Sequence, residues 1–595
     1  MPLVQAGLVL IPLLWIAAWL RVLARNYRAA RATGLPFVVC PYDPEGFVFA
    51  LIQEPLRPVL RRLLPAAAFD VYELSLWGWE FRAKAAVHKR YGPAFVVVTT
   101  GLNRLVCADP AMAHAILARR KDFVHPDINL KTMGFLGSNI ITNNDEAWSR
   151  QRRIVAPALN ERVSPDVWKE SIDQASSLAG LLCASDSTVE TIAGLRVIAI
   201  DVLTRIAYGR HKPLTLALPS RDPSADMSYV DAIHLCTEQI LLASFVPSWF
   251  LRLPFMPRLL RTVGVALERL PGLTRDMLDQ ERRRSSSAAL VADETTTAGL
   301  NNSPEIIMST LIRLSDQEKE LTEKGTPDEK TSIAGGNRTS KSYLTEEEIA
   351  GNLFIFTAAG FDTTANTMAY AVTLLAACPE WQAWIQAEID AVLGAPTPGA
   401  PGHELPVPDY ATAFPKLTRC MAVMLETLRL YPAATMVMRA TAATQVVPLG
   451  HSSSPASSFT LRGPCAVHVN VMALHTSPAS WGSDALEFNP ARWIRSVSGA
   501  QGEPVEELVT PPRGVFMPWS AGPRVCPGQK MSQVEFVAVI STLFRSYSAQ
   551  PVQVAGESAQ QARRRLLDLT QDSHAVLTLQ ISKPRDARLR WTRRA

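Results

Sequence analysis

Phe516-Met-Pro-Trp-Ser-Ala-Gly-Pro-Arg-Val-Cys-Pro-Gly528 is the stretch on which the reading of this chain turns. Gly522 permits a tight turn that a side chain would block, and Pro523 and Pro527 stiffen the backbone on either side of Cys526. Gly528 allows close backbone approach behind the sulfur. A helical pattern opens at Gln529 (QKMSQVEFVAVISTLF), so the cysteine stands just ahead of a helix amino terminus. The partial positive charge there favours a thiolate. A rigid loop presenting an anionic sulfur suits a metal ligand. The plainer alternative is a buried structural cysteine in a loop rich in Gly and Pro.

The other seven cysteines (Cys40, Cys107, Cys183, Cys236, Cys378, Cys420 and Cys465) are scattered without a CxxC pair. That suits a reducing compartment, where cysteine is a small apolar core residue. Hydrophobic residues make up 47% of the 595 and charged residues 19%, as in a packed protein rather than a disordered one. A net charge of +5 is mild for this length, and no dense basic block with interleaved aromatics occurs, which argues against a nucleic-acid partner.

Leu3 to Leu20 carries no charge and only Gln5 as a strongly polar side chain. Roughly twenty apolar residues cross a bilayer as a helix. Arg21, Arg25, Arg28 and Arg31 follow at once, which places the rest of the chain on the cytosolic side. A cleaved signal peptide would have a basic leading region and a shorter apolar core. A buried core helix is the remaining alternative. Leu35 to Pro44 holds three prolines and suits a link lifting a globular body off the membrane. The expected division is an anchor over 1–22, a basic, proline-rich link over 23–45, and a catalytic domain over 46–595.

Within that domain, Ala94 to Thr99 and Leu105 to Cys107 read as strands, while Leu344 to Leu393 and Phe414 to Tyr431 carry helical periodicity. Arg283 to Lys341 is rich in Ser, Thr, Asn, Gly and charge, broken by an amphipathic piece near Ile306 to Leu314, and reads as a largely mobile surface insertion. Asn301 and Asn337 head N-x-[ST] triplets there, chance matches on a cytosolic body. Phe245 to Met256 is apolar, proline-broken and carries one charge. It reads as core packing or as a lip dipping into the membrane beside the anchor.

Trp519-Ser-Ala-Gly522-Pro-Arg524-Val-Cys526-Pro-Gly528 resembles the haem-binding loop of cytochromes P450, with Trp519 in place of the usual Phe. The resemblance runs from about Pro44 to the carboxyl end, with residues 283–341 unmatched. It implies the family's mainly α fold with small β-sheets, here preceded by one amino-terminal transmembrane helix. It also implies heme b (iron-protoporphyrin IX) with Cys526 as axial thiolate, whose electron donation favours O–O cleavage. Trp519, Gly528 and Arg524 would frame the porphyrin, Arg524 by meeting a propionate.

Further stretches fit in order. Glu426-Thr-Leu-Arg429 lies in a helical run, where spacing three makes an intrahelical pair. It resembles the family's ExxR helix, whose pair reaches an arginine matched by Arg492 of Pro490-Ala-Arg-Trp493, a structural role. Ala359-Gly-Phe-Asp-Thr-Thr364 interrupts a strong helix, Gly alone costing about 1 kcal/mol relative to Ala. It resembles the oxygen-activating groove. By that resemblance Thr363 would hydrogen-bond the oxygen site and Asp362 would feed protons inward, both as catalytic groups. A helix merely exposing polar residues fits poorly beside Leu353, Phe354, Ile355 and Phe356. Trp148-Ser-Arg-Gln-Arg152 resembles the WxxxR helix that contacts a propionate, with Arg153 an adjacent competitor. Arg439 and His475 stand where the family often has propionate contacts, although a His at that site can also cap a turn.

The implied reaction inserts one atom of dioxygen into a lipophilic substrate and releases the other as water. No dinucleotide fingerprint or room for a flavin domain is found, so electrons from NADPH would come through a separate NADPH–cytochrome P450 reductase. The implied setting is the endoplasmic reticulum membrane, single-pass, with the catalytic domain facing the cytosol. The motif wording resembles fungal enzymes that tailor secondary metabolites. Two alternatives remain: a reductase-independent haem-thiolate isomerase or dehydratase, which often lacks the acid–alcohol pair, and a non-catalytic haem sensor. Substrate contacts are expected within Val124 to Ile141, around Phe245, at Ala433 to Met438 and at Leu569 to Ala575, largely apolar stretches.

Overall fold

A computed structural model describes residues 2–183, 190–211, 213–216, 222–224, 226–294, 306–324, 343–395, 408–450, 458–498 and 504–594. The organising element is the central helix, Glu346–Ala377. Thr345 and Glu348 close its amino end with a capping box, and Glu346 to Glu348 complement its dipole. Almost every later residue is buried, so this helix is wrapped on all sides, as its all-round apolar sequence requires. Helices Thr191–Tyr208, Thr418–Leu430 and Gln529–Ser546 pack against it. Their apolar faces meet in the main core around Leu203, Phe354, Phe361, Val423 and Phe536.

The expected helical stretch Leu344 to Leu393 is two helices. Pro379 cannot continue the first and opens the second, Pro379–Leu393, at its first position, where a missing N–H costs nothing. The two expected strands are present as Ala94–Val98 and Asn103–Cys107. They lie in a five-stranded sheet whose spatial order is Phe37–Val39, Ala94–Val98, Asn103–Cys107, Cys465–Asn470, Met436–Thr441. Across its last pair Met438 stands opposite His468.

Two expectations change. The surface insertion is partly regular: helix Arg258–Glu294 runs into it, and Ile307–Lys324 forms another helix. Ile307, Leu311 and Ile312 recur at helical spacing and are buried against the main core, which outweighs the polar composition around them. Residues 295–305 and 325–342, with Asn301 and Asn337, lie outside the described residues.

At the amino end one helix runs Pro2–Arg31, through the expected anchor and into the link. Leu10, Ile11, Leu13, Leu14, Trp15, Ile16 and Leu20 are exposed on it. Among the described residues no helix is long and apolar enough to cross a membrane. The link, expected to lift the body off the membrane, is instead docked on that body. The Asn26 amide donates to the carbonyls of Thr99 and Gly101, each at 2.8 Å, Asn103 donates back to the Asn26 carbonyl at 2.8 Å, and Phe37–Val39 joins the sheet. In the stretch from Phe245 to Met256, Leu251 is buried while Trp249 and Phe255 are exposed.

Candidate active site

The cysteine loop is braced from three directions. The Cys526 N–H donates to the Trp519 carbonyl at 2.9 Å, and the Trp519 indole N–H donates to Ser532 Oγ at 3.2 Å in the first turn of the following helix. Gly522 has φ +70, and a Cβ there would lie 2.4 Å from the Leu117 carbonyl oxygen, so the turn needs glycine twice over. His475 provides the third brace. Its Nε2 accepts the Met517 N–H at 2.9 Å, which leaves Nδ1 to donate to the Leu428 carbonyl at 3.3 Å. Burial holds the ring neutral, with its pKa pushed down to about 3. Both nitrogens are spent on backbone, so the expected propionate contact from His475 is replaced by a clamp on the loop.

Two finer expectations for the loop also change. A Cβ on Gly528 would sit 3.9 Å from Cys526 Sγ, ordinary contact, so protein atoms alone do not demand glycine there. The thiol pKa of Cys526 is raised, not lowered: burial dominates, opposed by the Gly528 backbone N–H and by the charge of Arg152. The helix start does not win against desolvation. Yet the residue is exposed. Cys526 is thus closely surrounded by protein and still open to a bound group.

Over that loop lies a set of cations. The Trp148 ring is flanked by the guanidinium groups of Arg524 at 4.7 Å and Arg120 at 4.9 Å. Arg524 Nη2 donates to the Asn143 carbonyl at 3.0 Å and to Asn144 Oδ1 at 2.8 Å, whereas its Nε and Nη1 are buried without a partner, as is Arg120 Nη1. Burial, then Arg439 and Arg120, depress the Arg524 pKa to about 9, and burial takes Arg439 to about 10. His125 is pushed down by burial and by the same two arginines, Arg439 and Arg524. Buried guanidiniums that crowd one another and keep free donors form an anion site. A porphyrin carries two propionates, and this donor set fits them. Arg152 is half-buried and interacts electrostatically with the Cys526 sulfur, while Arg153 turns outward towards Glu318 at 3.7 Å, so the competitor does not enter the site. The sequence reading missed Arg120 and His125. Arg120 stands in a basic run (Arg119-Arg-Lys121) that looks like solvated surface, and only tertiary folding brings it to Trp148.

Glu426, Arg429 and Arg492 meet as expected. Both carboxylate oxygens of Glu426 accept from Arg429 at 2.8 Å, and Oε1 also accepts from Arg492 Nε at 3.0 Å. The Trp493 indole donates to Oε2 at 2.9 Å. Arg429 then donates to the carbonyls of His475, Ala485 and Glu487. The pair is wholly buried and fully satisfied, and through His475 it holds the cysteine loop.

The central helix continues unbroken through Ala359 to Thr364 rather than being interrupted there, and the Thr363 hydroxyl is satisfied within it by donating back to the Ala359 carbonyl at 2.8 Å. Within this buried helix Ala359, Gly360 and Thr363 stay partly accessible, one turn apart. Asp362 points elsewhere. Its Oδ1 accepts from Arg196 Nη2 at 2.9 Å, and its Oδ2 accepts from the Thr578 hydroxyl. Thr578 Oγ1 in turn accepts from Asn366 Nδ2 at 2.8 Å, and Arg196 Nε donates to His234 Nε2 at 3.0 Å. Thr578 lies in the turn of the hairpin formed by Ser573–Ala575 and Leu579–Ile581. Neither Arg196 nor Thr578 belongs to a local motif, and no sequence spacing could have found them.

A mainly helical body in which an exposed loop cysteine stands beside buried, unpaired guanidinium donors is the architecture of a haem-thiolate protein. The family model for cytochrome P450 matches residues 79–571, and the chain belongs to that family. It is 29% identical over 585 residues, covering 92% of both chains, to a phomenoic acid biosynthesis cluster cytochrome P450 monooxygenase of Leptosphaeria maculans. It is 26% identical over 559 residues, covering 90% of this chain and 89% of the other, to cytochrome P450 monooxygenase prx9 of Penicillium rubens. In fold it is similar to a cytochrome P450 (CYP102L1), with TM-score 0.59, 18% identity and coverage of 86% of this chain and 93% of that one. A zebra fish cytochrome P450 gives TM-score 0.57 at 18% identity, covering 87% of this chain and 100% of the other. The protein is a cytochrome P450 monooxygenase, and the family implies haem held by a cysteine thiolate.

Proposed function

We propose that residues 46–595 form the catalytic domain, hold heme b through Cys526, and insert one oxygen atom from dioxygen into a lipophilic substrate in secondary-metabolite biosynthesis. Electrons come from NADPH through a separate NADPH–cytochrome P450 reductase. The observation that carries this reading is the accessible but enclosed Cys526 sulfur beside the unpaired donors of Arg524 and Arg120. Arg120, Arg439 and Arg524 bind the propionates, Trp148 holds two of these guanidiniums in place, Arg152 favours the anionic sulfur, and Trp519 and Gly528 shape the loop. Haem, once bound, supplies oxygen activation and atom transfer.

The chain supplies position and protons. Thr363, partly accessible on the central helix, donates its hydroxyl hydrogen to the Ala359 carbonyl, so to hold a proton for the reaction its hydroxyl must turn away from that carbonyl. Asp362 is the relay behind it: one carboxylate oxygen must loosen from Arg196 or Thr578 and take up a proton from water before passing it inward, because both oxygens are engaged as acceptors. This acid–alcohol pair favours monooxygenation over peroxide isomerisation. Apolar walls exclude water: Phe135 meets Phe354 with ring centroids 4.5 Å apart.

The amino-terminal helix tethers the protein to the endoplasmic reticulum membrane, with the catalytic domain cytosolic. Supporting this are its exposed apolar residues from Leu10 to Leu20 and the four arginines beyond, with Trp249 and Phe255 as a second exposed apolar site. Expression with reductase in a microsomal host, fed a panel of lipophilic scaffolds, tests the proposal. The expected result is a carbon monoxide difference spectrum of thiolate type and an NADPH-dependent product heavier by one oxygen atom. A spectrum of nitrogen ligation, or NADPH-independent rearrangement, would overturn it.

A further inference from the structure

A small cavity of about 20 Å³ lies on the face of the five-stranded sheet that carries Arg104, His468 and Met438. That is room for about one water-sized oxygen atom. Glu80, from the helix Trp79–Ala83 laid over the sheet, lines it and is 1% exposed. Glu80 Oε2 accepts a long hydrogen bond from Thr435 Oγ1 at 3.3 Å, while Oε1 is buried with no partner. Burial raises the Glu80 carboxyl to about 7. A buried oxygen left unsatisfied costs about 1–3 kcal/mol, so the site is built for something that donates to it.

The walls say where that donor comes from. Ile128, Met436 and Met438 belong to the two stretches, Val124 to Ile141 and Ala433 to Met438, read above as substrate contacts. Trp77, Trp79 and Leu76 close the other side. An ammonium is disfavoured, because the charges of Arg82 and Arg104 both act on Glu80, and Arg104 also depresses His468. A neutral donor feels no such repulsion. The space matches one hydroxyl oxygen and little more.

We propose that Glu80 is a specificity-determining acceptor for a hydroxyl group carried at the end of an otherwise apolar substrate. This deepens the monooxygenase reading and rests on it. Recognition is asymmetric: a substrate lacking the hydroxyl leaves Oε1 unpaired, so discrimination comes from the penalty as much as from the bond.

The test uses the full-length haem-loaded protein and two probes that differ by one group, dodecanoate and 12-hydroxydodecanoate. Binding is read by the haem spin-state change and by thermal shift. The wild-type protein should prefer the hydroxylated probe by roughly ten-fold. Glu80→Leu should erase that preference, weakening binding of the hydroxylated probe and strengthening that of dodecanoate, and Glu80→Gln should keep part of it. Should Glu80→Leu fail to fold, Met438→Phe fills the cavity from the opposite wall and should erase the preference in the same way. A preference that survives these variants overturns the proposal. So does a wild-type protein that shows none, failure of both probes included, which would mark a site for structural water alone. A thiolate-type carbon monoxide spectrum retained throughout separates failure of this subsite from failure of the monooxygenase reading.

Discussion

The three residues nearest the chemistry differ in what their loss should do. Cys526→Ala removes the sulfur on which the haem reading rests, and the purified variant should retain no haem, read as the Soret-to-protein absorbance ratio. Thr363→Ala should keep haem while diverting electrons, so hydrogen peroxide formed per NADPH rises several-fold; normal coupling would remove Thr363 from the mechanism. His475 gives a pH signature. Its folded value is about 3 against an ordinary 6.5, so the unfolded chain takes up the proton first as pH falls. The stability it contributes is full above about pH 6.5 and drains away towards pH 3. His475→Gln keeps an acceptor for the Met517 N–H without a titrating group. Urea midpoints at pH 7 and pH 5 should fall less in that variant than in wild type, and equal falls would refute the linkage. At this scale the sequence was legible where neighbouring residues shape one turn, as in the cysteine loop with Gly522. It was silent on Arg120, Arg196 and Thr578, whose meaning comes only from what folding sets beside them.

Among the elements, the helix Thr418–Leu430 matters through its buried Glu426–Arg429 pair, which ties the cysteine loop to the core by way of the His475 carbonyl. Arg429→Leu strands a buried carboxylate and should cost about 3–5 kcal/mol. Arg492→Lys retains a charge near Glu426 but loses the bond to Asp484, and should cost about 1 kcal/mol. Chemical denaturation of both variants measures the difference, and similar losses would contradict the hierarchy. Element type was readable from periodicity, as for Glu346–Ala377, whereas boundaries yielded to single residues such as Pro379. Periodicity read better than composition in one place: the amphipathic piece near Ile306 to Leu314 is a stripe that the core recruits, despite its polar surroundings.

For the whole molecule, a chain beginning at Arg21 should leave the carbonate-resistant membrane pellet. It should remain loosely attached through Trp249 and Phe255, and carbonate should release it. A shortened chain that still resists carbonate would sink the anchor reading. The amino-terminal arginines predicted an orientation, but nothing in their spacing predicted that Asn26 would be bonded to Thr99 and Gly101. The hairpin turn at Thr578 carries a last consequence. Its hydroxyl holds Asp362 and accepts from Asn366, while the same hairpin flanks a stretch nominated for substrate contact. Anyone grafting a new hairpin here would also release one oxygen of Asp362, so under the proposed roles selectivity and proton supply could not be engineered as separate dials.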